Sequence, residues 1–206
     1  MIHKKIIKEF IQLHTTNWIE EDKELIKENF GRDFQKITLD LANSISQICQ
    51  QGSHLQGEGY KGAAAYLCIS LLHTNLLENI WKYRLDLYDE MLYFDNKECT
   101  ATWEPKIIWD CFEKHLAELQ IAAHTGIYTN KIRSYHLAEI KVMMAEQYHI
   151  ATMALAQQII KEAIQTLAYQ NLLKIPDFQI SIGEYMDECM VIYQQQDVIP
   201  KIKIGE

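Results

Sequence analysis

The sequence predicts an all-α protein: a single antiparallel bundle of five or six helices over residues 1–206, with a short extended tail at 197–206. Three observations carry that prediction. Gly and Pro number only 8 and 3 in 206 residues, too few for an architecture that turns every ~8–12 positions. Two long segments, 63–104 and 127–175, contain neither residue. Apolar residues also recur at three- and four-residue spacing along most of the chain, the period of an amphipathic helix. With 48% hydrophobic composition, a chain of this length buries a core without needing a disulfide or a metal to fold.

Residues 2–14 read as a short amphipathic helix with Ile2, Ile6, Phe10 and Leu13 on one stripe. Asn17 with Glu20 three positions later resembles a capping box. It opens a helix whose stripe runs through Ile26, Phe30, Phe34, Ile37, Leu41, Ile45 and Ile48, with Gly31 as its expected kink. Residues 51–59 read as a loop. Gly57-x-Gly59 with Gly62 is not a phosphate loop, because no strand precedes it and no GK[ST] follows.

From Ala63 onward, Tyr66, Ile69, His73, Leu77, Ile80, Arg84, Leu87 and Met91 form a stripe that predicts a third helix, ending near Asp95. Pro105 suits the first turn of a fourth, with Ile108, Phe112, His115, Leu119 and Ala122 facing inward. A connection at 125–130 precedes a fifth helix reaching about Leu173, where Pro176 stops it. Ser181 and Glu184 form an S-x-x-E box that predicts a last helix. In the tail, Val198 to Ile204 alternates apolar and basic side chains as a docking arm would.

Twenty Lys+Arg against 28 Asp+Glu leave a formal charge of −8. The basic residues are scattered, which argues against a nucleic-acid partner, since neutralised phosphates supply most of such affinity. Five cysteines, an odd number without a C-x-x-C pair, fit a reducing compartment. Lys8 and Glu9 interrupt the N-terminal apolar run before it reaches export-signal length. The charge-free stretch Gly62–Leu77 falls short of the ~20 apolar residues that span a bilayer. A cytoplasmic protein without a membrane partner is expected.

The tetrapeptide His-Leu-Ala-Glu occurs twice, at 115–118 and 136–139, and its i, i+3 spacing puts His and Glu on one helical face. A hairpin turning near Tyr128 sets residue n opposite residue 256 − n, so His115, Glu118, His136 and Glu139 fall in one layer, with Arg84 entering from the preceding hairpin. Two imidazoles and two carboxylates are ligands for a divalent Zn, Fe or Mn ion. The di-iron pattern of Glu-x-x-His motifs is matched only once, at Glu146–His149. The fifth helix is apolar almost all round, which predicts burial and makes Glu139 and Glu146 carboxylates in need of partners. His73, Arg84, Glu146 and His149 are the candidate ligand-binding residues. The expected function is a homodimeric binding protein that holds a small molecule or a protein partner, with a metal-dependent bundle enzyme as the alternative.

Overall fold

The structure, a computed structural model, describes residues 2–195, with residues 2–4 described by backbone alone; the expected tail at 197–206 lies outside them. Its architecture is α/β, which corrects the all-α helical bundle. In chain order run α1 (Ile2–Thr15), α2 (Trp18–Gly57), β1 (Ala64–Leu71), α3 (His73–Leu77), β2 (Tyr83–Tyr88), β3 (Thr100–Trp103), α4 (Lys106–Ala123), α5 (Ser134–Ala163), α6 (Leu167–Asn171), β4 (Lys174–Glu184) and β5 (Cys189–Gln194). Among the described residues these strands form one five-stranded sheet in the order β3-β2-β1-β4-β5. Only the β1–β4 pair is parallel. The chain between β3 and β4 supplies the long helical crossover that returns it to β1's flank.

The error lay in the segment 63–104, where two periods coexist. Leu67, Ile69 and Leu71, like Tyr83, Leu85 and Leu87, also repeat at intervals of two, and all six are buried. Strand periodicity therefore governs there, with the β-branched and aromatic residues that suit a pleated surface. The turns that a strand reading requires are made without Gly or Pro. Asn79 (φ 58°), Leu92 (φ 50°) and Met186 (φ 59°) each adopt the left-handed conformation, which non-glycine residues enter at a cost. The supposed last helix is the β4–β5 hairpin, in which Phe178, Ile180 and Ile182 alternate into the core. Gly183 is required there: a Cβ would stand 2.2 Å from the Glu188 carbonyl oxygen.

The helical expectations outside 63–104 and 174–194 fare better. α2 continues through the expected loop at 51–57, and its break falls at Asp33 (φ −109°, ψ 16°) rather than Gly31. α4 buries nearly its predicted stripe, including Ile108, Phe112, His115 and Leu119, and α5 buries Ile140, Met144, Tyr148 and Leu155. One face of the sheet packs against α2 and α5 in a continuous core. α2 approaches so closely that a Cβ on Gly52 would lie 2.5 Å from Leu87 Cδ2.

Polar side chains of α2 also close the outer edge of β3. Gln51 donates to the Thr100 carbonyl and accepts from its N–H, both at 2.9 Å, and Ser44 donates to the Thr102 carbonyl at 2.8 Å. Backbone groups that would otherwise template a foreign strand are thereby satisfied. No described helix is long and apolar enough to cross a membrane.

Candidate ligand-binding site

Of the eight residues singled out from the sequence, the structure keeps only His115 and Glu118 paired and disperses the rest. His115 and Glu118 stay together, with His115 Nδ1 3.8 Å from Glu118 Oε2. His136 lies at the start of α5, where its Nδ1 accepts the Arg133 N–H at 3.0 Å and its ring packs on Tyr135. Glu139 and Glu146 are exposed, so neither carboxylate bears a burial cost. α5 is one-sided, with Met143 and Ile150 open to solvent rather than covered.

The expected layer fails by about one helical turn. Phe112 packs against Tyr148 with ring centroids 4.7 Å apart and planes tilted by 43°, whereas a turn at Tyr128 would set position 144 opposite Phe112. The extra chain is absorbed by the turn Gly126–Tyr128 and the connection to Ser134. Among the described residues no group of three or more His, Cys, Asp or Glu is arranged to hold a metal ion.

Arg84 lies on β2, His73 begins α3 and His149 is on α5, packed against the sheet. Tyr83 and Arg84 are neighbours on β2, so they point to opposite faces. Tyr83 turns to the helices and hydrogen-bonds His149 Nδ1 at 2.7 Å. Burial pushes the Tyr83 hydroxyl far above its ordinary range and holds the His149 imidazole below its own. Arg84 faces away from the helices and pairs with Asp86 (2.8 Å) and Glu98 (2.6 Å). Burial outweighs that guanidinium and holds the Asp86 carboxyl above the usual carboxylate range. His73, largely exposed, reaches Glu184 at 2.9 Å.

What surrounds His115 is more informative. Its Nε2 donates to Asp22 on α2 at 3.2 Å, and Tyr148 on α5 donates to the other Asp22 oxygen at 2.6 Å. The ring stacks on Trp18 at 4.9 Å with planes 10° apart. Three helices thus converge on one buried carboxylate, which fixes the imidazole's tautomer and orientation as an orienting acid does beside a working histidine. Nδ1 is turned toward Glu118, at the mouth of a groove.

That groove has two contiguous parts. The polar part, about 400 Å³, is lined by Asn17, Trp18, Glu21, His115 and Glu118 together with Gln12, Leu13, His14 and Thr16. The apolar part, about 560 Å³, runs along Ile121, Ala122, Ile127 and Tyr128 and shares Leu13, His14 and Glu118 with the first. Phe10 and His14 of α1 pack against Tyr128, with ring centroids 4.8 and 5.7 Å away, and this sets the groove's width. Leu13, placed on the core stripe from sequence, is instead 70% exposed and forms the rim. Ile121 and Ile127 are 69% and 67% exposed on the same cleft, a concentration of aliphatic surface that solvent alone does not favour.

A cavity of similar size, about 590 Å³, lies at the α2 break beside the start of α4. Its Arg32 is already engaged by Asp33 and Asn29, and its remaining charges, Lys36, Asp40, Glu104, Lys106 and Asp110, are of both signs.

Sequence reasoning missed Asp22, Tyr148, Trp18 and His14. One signal was present: Asp22 sits on the α2 stripe between Trp18 and Ile26, an acid at an apolar position of the helical period. Its partners lie 93 and 126 residues away, beyond any local pattern. No protein-family model, curated protein or solved structure matches this chain significantly, so the site is read from its own residues.

Proposed function

We propose that the protein binds a small amphipathic ligand in the groove between the α1–α2 junction and the second half of α4. The observation that carries the reading is continuity: the polar and apolar clefts share Leu13, His14 and Glu118. Their volumes fall in the range of small-molecule sites, ~300–1,000 Å³. The apolar part takes the body of the ligand, and the oriented His115 and Glu118 take its polar end. A cytoplasmic setting is supported by the five free thiols, Cys49, Cys68, Cys99, Cys111 and Cys189, which a reducing compartment maintains.

Titrating octanol into isotope-labelled protein tests the reading. Amide shifts are expected at Leu13, Glu118, Ile121 and Ile127, and they are lost in Ile121→Glu, which sets a charge in the apolar cleft. Shifts that are absent, scattered over the surface or unchanged in Ile121→Glu would refute it.

A further inference from the structure

We infer that the polar end of this groove selects a primary ammonium group, so that its ligands are aliphatic amines; this inference rests on the groove being the binding site. The two clefts are lined by Glu21 and Glu118 but by no Lys or Arg. A third carboxylate, Asp22, stands directly behind His115. An anionic head would meet uncompensated like charge there, and a neutral head would leave the carboxylates unused.

The histidines add to the match. His14 Nε2 is buried and without a hydrogen-bond partner, on a residue that lines both clefts. His115 commits Nε2 to Asp22 and turns Nδ1 toward Glu118, 3.8 Å away, which holds that carboxylate at the polar end of the groove. An ammonium carries three N–H donors and no acceptor. It can be shared among Glu118, Glu21 and the unpartnered His14 Nε2 while its alkyl chain extends past Ala122 toward Ile127. Charge-assisted hydrogen bonds of this kind are the strong ones, although Glu118 is 61% exposed and its share is screened accordingly.

The test compares octylammonium, octanol and octanoate, three heads on one chain, by calorimetry and amide shifts at low salt. Octylammonium is expected to bind about three- to tenfold tighter than octanol, with octanoate weakest. Glu118→Gln should bring octylammonium down toward octanol, lowering octylammonium affinity by a larger factor than octanol affinity. Equal affinity for all three heads, a preference for octanoate, or an octylammonium preference that survives both Glu118→Gln and Glu21→Gln would overturn the head-group assignment while the groove stands. If none of the three binds, the groove itself is not the site and the inference falls with it.

Discussion

Removing the Asp22 carboxylate is the most direct probe of how the groove is built. Asp22 is 8% exposed, His115 6% and Tyr148 0%. In Asp22→Ala the Tyr148 hydroxyl and the His115 N–H both lose their acceptor in a site that water reaches poorly. Each orphaned donor costs ~1–3 kcal/mol, and the carboxylate's own desolvation penalty is relieved, so the net loss of stability should be about 3 kcal/mol. Tyr148→Phe deletes one of the two bonds without opening a cavity. The double-mutant cycle between them should then return a coupling of about 1.5–3 kcal/mol, the range for hydrogen bonds to charged groups. Urea titration followed by tryptophan fluorescence reads both quantities, since Trp18 stacks on His115 within the network. A coupling under about 0.5 kcal/mol would mean that Tyr148 and Asp22 do not act on one another, and the convergence of α2, α4 and α5 on one carboxylate would lose its energetic meaning.

Two further outcomes follow from buried titratable groups. Lys61 and Asp95 form an ion pair whose side chains are 0% and 3% exposed. Burial works against the Asp95 charge, yet Lys61 and the Lys97 and Asp89 N–H groups hold its carboxyl below the ordinary range. Asp95→Asn leaves a buried ammonium with neutral acceptors and no counter-charge and should cost about 3–5 kcal/mol in urea midpoint-derived stability, partly restored by adding Lys61→Met; a loss under 1 kcal/mol contradicts the pairing. His149, depressed by burial from its ordinary 6.5, contributes stability that is complete above that value and is lost as pH falls through its lower folded pKa. His149→Gln should flatten the acid side of the stability–pH profile, and superimposable slopes for the two proteins would show that His149 does not titrate differently on folding.

What the sequence determined by itself was local. The stripe of α4 was legible because helical period and apolar content agree over its 18 residues, whereas α5, apolar almost all round in sequence, did not disclose which side faces solvent. The His115–Glu118 pairing was legible too, because it is made within one turn of one helix. The sheet was not, because its turns at Asn79, Leu92 and Met186 use no Gly or Pro and its strands also satisfy a three-to-four spacing. Register was decided only in three dimensions: a turn longer by a few residues moved Tyr148, not His136, toward the partners of His115. Arg84 shows the same dependence, since adjacent strand residues face opposite ways and a strand in place of a helix sends it away from α4. A helix periodicity records which face is apolar, but which polar residue meets which across 93 or 126 intervening residues depends on how α2, α4 and α5 pack, and that packing alone made Asp22 the centre of the site.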